Sequence, residues 1–358
     1  RNLSNDMFSS TGRNTVGSRP TITDLAKAAG VSVATVDRVI NGRHKVREET
    51  SRRVYDAAKE IGFHAVSLLR QRVFEGLPQY KLGFILQKPE HYFYQAFARE
   101  LEQAVLSAPG MRGVPQIEFA VSQTPTALAD MIRTVGGRNQ ALAMSAPDYP
   151  ALTVAVEELK SKGIPVFSLL SDFASGVREG YLGLNNRKVG RTAAWMISKA
   201  ARKPGKVAVF VGSHRFHGHE LREMGFRSYF RENAPEFEVL DTLVNLETPQ
   251  ITHEATLDLL HRHPDLVGFY VAGGGMEGAI SAIREEGLAG KLNIVVNELT
   301  PDSRSALADD IVMMAIATPL QHLCRALVEH MVDAIEKGPA SVSGQTFLPF
   351  EMYVPENI

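Results

Sequence analysis

Residues 21–42, TITDLAKAAGVSVATVDRVING, have the spacing of two short helices separated by a tight turn. Thr21 can cap a first helix over residues 22–29, and Asp24, three positions on, makes an approximate capping box with it. Gly30 ends that helix, and Ser32 is placed to cap a second over residues 33–40. On the second helix Val36, Val39 and Ile40 recur at helical spacing and form a buried stripe, which leaves Val33, Ala34, Asp37 and Arg38 on the opposite face. A third amphipathic helix, expected over residues 48–61, brings Val54, Ala57, Ala58 and Ile61 to close a small three-helix core.

Two helices joined by such a turn and backed by a third make a helix-turn-helix, in which the second helix lies in the major groove of DNA. The run as a whole resembles the head of the LacI/GalR family of bacterial transcription regulators, and the resemblance extends from Pro20 over nearly the whole chain. The family opening is matched by Thr21, Asp24, Leu25 and Ala26, its turn by Ala29, Gly30, Val31 and Ser32, and its recognition helix by Thr35, Val36, Arg38 and Val39. By that resemblance Val33, Ala34 and Arg38 face bases, while Ser32, Thr35 and Asn41 approach phosphates, and Thr21 belongs to the same DNA-binding set. Arg38 suits a bidentate pair with guanine, worth roughly 1–3 kcal/mol of discrimination. Asp37 stands where the family carries serine; it either orients Arg38 or accepts from a cytosine amino group.

Charge agrees with a DNA-binding head on an acidic body. Residues 1–80 carry 13 Lys or Arg against 8 Asp or Glu, and the rest of the chain 26 against 32, although the net charge is −1 over 358 residues. The positive excess sits where phosphate is met. The single cysteine, Cys324, excludes an intramolecular disulfide and reads as a small buried residue in a helix. The sequence has no run of apolar residues of membrane-spanning length and no signal-peptide core, so a cytoplasmic protein without membrane contact is expected. Residues 1–18, rich in Ser, Asn, Thr and Gly, read as a disordered leader, with Arg1 or Met7 as the start left open.

The expected domains are therefore a helix-turn-helix at 19–63, a hinge at 64–80, and an effector-binding and dimerisation body at 81–358. In the family the hinge folds on operator DNA and wedges a leucine into the minor groove. Here the corresponding run is Leu69, Arg70, Gln71 and Arg72, with arginine at the wedge position. Either Leu68, Leu69 or Val73 serves as the wedge in a shifted register, or this chain bends its DNA less and reads a narrow groove by charge.

Beyond Lys81 the pattern alternates apolar strands with amphipathic helices, which implies mostly parallel sheets covered on both faces. Strands are expected at 82–86, 117–121, 141–144, 166–170, 207–211, 239–243, 268–271, 294–296 and 312–317. That number exceeds one ordinary doubly wound sheet, so two lobes follow. The resemblance implies the periplasmic-binding-protein fold, with crossings expected at 184–187, 297–301 and 318–320. The fold class is thus a small all-α helix-turn-helix head on a two-lobed α/β periplasmic-binding-protein-like body.

Ligands of open α/β sheets meet the carboxyl ends of strands. Tyr92, Phe93 and Tyr94 follow the first strand as stacking rings, and Ser171 and Asp172 follow the fourth as hydroxyl partners. Arg222, in an R-x-x-G-F run with Gly225 and Phe226, offers fixed donors. Asn297 stands where relatives carry aspartate, and His219, Gly273 and Thr318 complete the expected effector set. The turn AGGGMEG at 272–278 opens a helix and could receive an anion, which keeps a phosphorylated or acidic corepressor open. His214, His217 and His219 cluster without the partners a metal site needs, and no cofactor or catalytic motif is legible.

The expected protein is a dimeric, sequence-specific DNA-binding regulator, a repressor controlled by a sugar-like or polyol effector between the lobes, and not an enzyme. The alternative is a solute receptor for sugar transport, which shares the two-lobed fold but does not need the head.

Overall fold

A computed structural model describes residues 19–42, 46–338 and 344–358, so the expected leader at 1–18 lies outside the described residues. These fall into two compact units, one running to Pro78 with Pro109–Arg112 added, the other holding Gln79–Ala108 and everything from Gly113.

The first unit is helical: α1 (Ile22–Ala28), α2 (Val33–Asn41), α3 (Glu48–Glu60) and α4 (Val66–Val73). Thr21 and Asp24 close the capping box reciprocally, and Ser32 Oγ accepts from the Thr35 N–H at 3.1 Å. Gly30 and Gly42 take left-handed backbone, as the turn and the α2 C-cap require. Leu25, Val36, Val39, Val54, Ala57 and Ala58 fill the core, while Ile61 is only half-buried at its edge.

The hinge expectation needs correction at Leu69. In α4 Leu69 and Val73 are buried in the head core, because helical spacing puts both on the face packed against α2 and α3. Neither is available as a wedge in this arrangement. Leu68, on the opposite face, is exposed, as are Arg70 and Arg72, and Arg72 pairs with Glu75 at 3.2 Å.

The second unit has two lobes. Its strands are β1 (Gln79–Gln87), β2 (Arg112–Ala120), β3 (Ala141–Met144), β4 (Val166–Leu169), β5 (Gly180–Leu184), β6 (Lys206–Val211), β7 (Glu238–Val239), β8 (Leu243–Val244), β9 (Leu266–Val271), β10 (Asn293–Asn297), β11 (Met314–Ala317), β12 (Gly344–Leu348) and β13 (Glu351–Tyr353). Among the described residues one sheet runs β12-β5-β4-β3-β1-β2, the other β13-β11-β10-β9-β6-β7 with β8 also on β6. Apart from the antiparallel β11–β13 pair, the registered pairings of both sheets are parallel.

The first sheet is covered by α5 (Tyr92–Ser107), α6 (Pro125–Gly136), α7 (Pro150–Ser161) and α13 (Leu320–Lys337). The second is covered by α8 (Asn186–Ala200), α9 (His217–Asn233), α10 (Pro249–Arg262), α11 (Met276–Glu285) and α12 (Pro301–Ala308). The buried strands read as continuous apolar runs, as parallel strands covered on both faces do.

The chain passes between lobes after β5 and after β11, as expected at 184–187 and 318–320. The expected crossing at 297–301 is instead a turn inside the second lobe, since β10, α12 and β11 all belong there. The third crossing is the short link from β12 to β13. The strand expected at 239–243 is broken into β7 and β8, both on β6, and β5, β12 and β13 carry too little apolar periodicity to be found in the sequence. Cys324 is buried on α13, as its helical setting implied.

Candidate functional site

In the head, burial of Val36 and Val39 turns the other side of α2 to solvent. Ser32, Val33, Ala34, Asp37, Arg38 and Asn41 are exposed there and Thr35 is half-buried, so the expected reading residues share one accessible face. Thr21 is exposed at the start of α1. Asp37 does not orient Arg38. It accepts from the Asn41 amide at 2.7 Å, which engages one of that amide's two N–H donors. No described side chain pairs with Arg38, whose guanidinium keeps its donors for an external acceptor.

In the body, the carboxyl ends of β1, β3, β4, β6, β8, β9 and β10 converge on a cleft between the lobes with about 770 Å³ of space, including its open mouth. Of the expected effector residues, Tyr92, Phe93, Tyr94, Ser171, His219, Arg222, Gly273 and Asn297 line it. Tyr94 is buried with Phe93 edge-on at 5.2 Å, while Tyr92 stands exposed at the lip.

Arg222 is held from α9 by two charge-assisted bonds, Nε to Asn186 Oδ1 at 2.7 Å and Nη1 to the Ala272 carbonyl at 2.7 Å. The guanidinium is buried, and its remaining donors make it a fixed hydrogen-bonding plate on the cleft. The approach that puts it there depends on glycine. A Cβ on Gly190 of α8 would lie 1.9 Å from the Arg222 carbonyl oxygen, and one on Gly225 would lie 2.2 Å from that of Arg187.

Two expected residues are elsewhere. Asp172 lies beside the cleft in a buried network, accepting from Arg178 Nε at 2.5 Å and Nη2 at 2.6 Å, from Ser168 Oγ at 2.6 Å and from Gln345 at 3.0 Å. Burial opposes its charge, but Arg178 and Ser168 hold the carboxyl below its ordinary range. It ties β12 to the first lobe and has no free oxygen to offer a ligand. Thr318 also does not line the cleft. Its N–H and hydroxyl donate to the two oxygens of Glu298 at 2.9 and 2.7 Å, so it positions a carboxylate that does.

That carboxylate was missed, as were Glu247 and Glu277. Asn297 itself is engaged internally, accepting from the Tyr270 hydroxyl and donating to the Ile316 carbonyl at 3.3 Å. A carboxylate lining the cleft stands one residue later, at Glu298. Burial raises the pKa of Glu298 against the lowering effect of the Thr318 bonds, and burial likewise raises that of Glu277. Glu247 follows β8, a strand too short to be recognised, so nothing marked the turn after it.

At the Gly-rich turn, which the sequence left open to an anion, a carboxylate of the protein itself takes one N–H. Glu247 Oε1 accepts from the Gly274 N–H at 3.1 Å, just before α11, and a Cβ on Gly273 would meet His219 Nε2 at 2.8 Å. The three histidines part company: His214 pairs with Glu223 at 3.3 Å, His217 with Glu220 at 3.2 Å, and His219 faces Glu247 Oε1 at 3.5 Å. Burial lowers the pKa of His219 to about 4, with Arg222 and Lys88 acting the same way against Glu247, so its ring is neutral at pH 7. Among the described residues no three His, Cys, Asp or Glu are grouped to hold a metal.

Backbone strain gathers here too. Of the seven non-glycine residues with positive φ among those described, Leu170, Glu247 and Glu298 line the cleft and Lys88 and Leu246 stand at its mouth. Side chains resist that conformation, and it persists where surroundings over-determine it, commonly at ligand clamps. Carboxylates, hydroxyls, an amide and a guanidinium beside aromatic rings make a cleft suited to a compact ligand with many hydroxyl groups.

Comparison with known proteins agrees with both parts. Residues 82–339 match the family model for the periplasmic binding protein domain, and residues 21–65 that for bacterial regulatory proteins of the lacI family. The HTH-type transcriptional regulator MalR of Streptomyces coelicolor is 27% identical over 338 residues, 92% of this chain and 94% of the relative. The sucrose operon repressor of Streptococcus mutans is 26% identical over 217 residues, 60% and 63% of the two chains. The body shares its fold with a periplasmic solute binding protein from Actinobacillus succinogenes with bound D-allose, at TM-score 0.70 and 18% identity over 78% of this chain and 98% of that one. The arabinose binding protein AraP of Geobacillus stearothermophilus gives 0.65 and 19% over 78% and 98%. No helix among the described residues is long and apolar enough to cross a membrane. The chain belongs to the periplasmic binding protein domain family through its body and, carrying a lacI-type helix-turn-helix head on that body, is a member of the lacI family of bacterial transcription regulators.

Proposed function

We propose that this regulator is a homodimeric repressor whose hold on a pseudo-palindromic operator is controlled by a sugar or polyol effector bound between the lobes. The single observation that carries the effector half is the cleft itself, where buried Arg222, Ser171 and Glu247 and half-buried Glu298 converge beside Tyr94 at strand ends. The relative named as a sucrose operon repressor points to the same class of effector. In the head, Val33, Ala34 and Arg38 read base edges, and Ser32, Thr35 and Thr21 meet the backbone. Arg70 and Arg72 extend the contact toward the minor groove, and Leu68 is the apolar residue of α4 available to a base step.

A two-fold dimer presents two heads to two half-sites, and effector and operator affect each other's affinity by the same factor. The test is capture of genomic fragments by the purified full chain, sequenced with and without a panel of mono- and disaccharides. Enrichment of a pseudo-palindrome beside carbohydrate genes, lost with one sugar, is the expected result. Enrichment that no sugar alters removes the effector reading, and no enrichment at all removes the operator reading.

A further inference from the structure

At the mouth of the cleft a contact joins the lobes that the effector reading does not use. Lys88 follows β1 in the first lobe, and its ammonium reaches the second, donating to the Leu246 carbonyl at 2.7 Å and lying 3.3 Å from Glu247 Oε2. The other carboxylate oxygen holds the Gly274 N–H at 3.1 Å and faces His219 Nε2 at 3.5 Å. One carboxylate therefore touches the opposite lobe with one oxygen and the wall of the cleft with the other.

The backbone on both sides is held in the left-handed region, with φ of 38° at Lys88, 52° at Leu246 and 54° at Glu247. Asn245 fixes the second-lobe turn. Its Oδ1 accepts from the Glu247 N–H at 2.9 Å, and its amide donates to Thr252 Oγ1 at 3.0 Å and to the Gly274 carbonyl at 2.9 Å. A strained turn locked from behind, with its carbonyl and carboxylate both turned to one ammonium, is a prepared acceptor. Further interlobe hydrogen bonds among the described residues, Asp148 N–H to the Arg215 carbonyl at 2.9 Å, Gly218 N–H to Ser171 Oγ at 3.0 Å and the Asn186 amide to the Leu170 carbonyl at 3.0 Å, join uncharged groups, and the Arg215 guanidinium lies over the uncharged Tyr149 ring at 5.6 Å.

We propose that Lys88 is a positioning residue that latches the two lobes over the cleft and sets the Glu247 carboxylate for the effector. When the lobes part, the ammonium leaves, and Glu247 loses its only counter-charge from the first lobe among the described residues. Closure and effector affinity are thereby coupled through one ion pair. The consequence for effector rests on the function proposed above, while the latch is tested without any effector.

The test is the distance between spin labels on the two lobes of the effector-free full chain, at Val121→Cys and Gln250→Cys with Cys324→Ser, diluted into unlabelled subunits. The native chain is expected to show a short-distance population that Lys88→Met depletes about tenfold or more, the usual scale of a hydrogen bond to a charged group. Lys88→Arg is expected to restore it. Raising the salt from about 0.05 to about 0.5 M is expected to move the native chain toward the methionine variant and leave that variant unmoved. No short-distance population in the native chain, identical distributions for Lys88→Met, or an arginine variant as open as the methionine one would overturn the latch. Operator binding by the native chain that no sugar alters, with these distances as expected, would instead count against the effector reading and leave the latch standing.

Discussion

Replacing Gly190 by alanine tests how the scaffold builds the cleft. The new Cβ would sit 1.9 Å from the Arg222 carbonyl oxygen and 2.7 Å from its carbon, and since such contacts do not fall below 3.0 Å, α8 and α9 must part by at least about 1.1 Å there. The opposing atom is backbone, so no rotamer change relieves it. Alanine in a helix interior gains ~1 kcal/mol over glycine. Overpacking of a tight core costs ~1–3 kcal/mol, and a clash against backbone belongs at the top of that range, which leaves a net loss of about 2 kcal/mol. At about 2–4 °C per kcal/mol for a unit of this size, the melting temperature falls by about 4–8 °C. The same displacement separates Arg222 from Asn186, its partner on α8, by more than the roughly 0.5 Å a binding site tolerates. Operator release by effector is therefore expected to fail while operator binding is kept. The assays are urea unfolding of the full chain and operator anisotropy with and without effector. Gly176→Ala, where no atom lies within 4 Å of the added carbon, serves as the neutral control. An alanine variant at Gly190 that melts as the native chain does and releases operator normally would refute the packing argument.

Arg38→Ala is expected to weaken specific operator binding about fivefold to 150-fold, on the scale of ~1–3 kcal/mol for a bidentate base contact, with the helical circular dichroism of the head unchanged. Arg222→Met is expected to abolish the effector response and leave operator affinity within a few-fold; loss of DNA binding in a folded variant would contradict that division of labour. For His219 the folded pKa is about 4 against about 6.5 unfolded, so between those values the unfolded chain binds the extra proton. Its contribution is fully present above about pH 6.5 and is lost as the pH falls toward 4, by on the order of 2–3 kcal/mol. Urea midpoints across that window are expected to show a slope that His219→Gln flattens, and an unaltered slope would mean the ring is not buried neutral.

The head was legible because its information is local. The caps at Thr21 and Ser32, the left-handed Gly30 and the Val36–Val39 spacing act within a few residues, and helix position and the exposed face follow from them directly. The alternation of strands and helices likewise announced two parallel-sheet lobes, and the residues past strand ends named most of the cleft, Arg222 and Tyr94 included. Three kinds of information were not local. Leu69 was read as groove-facing, and only packing of α4 against α2 and α3 decided that it is core. Asp172 and Thr318 were read as ligand contacts, yet each is engaged by side chains that only the fold brings to it: Asp172 by Arg178 and by Gln345, which returns on β12 after the chain has visited the second lobe, and Thr318 by Glu298 at the end of the neighbouring strand. Glu247 sits after a strand of two residues in a left-handed turn, where neither periodicity nor propensity leaves a mark, and its meeting with Lys88 joins segments 159 positions apart in opposite lobes. Sequence determined which elements form and which faces they bury, since those depend on neighbours a turn or a pleat away; tertiary structure decided which polar groups spend their hydrogen bonds inside the protein and which keep them for a ligand, since a buried donor or acceptor must be satisfied by whatever the fold brings to it.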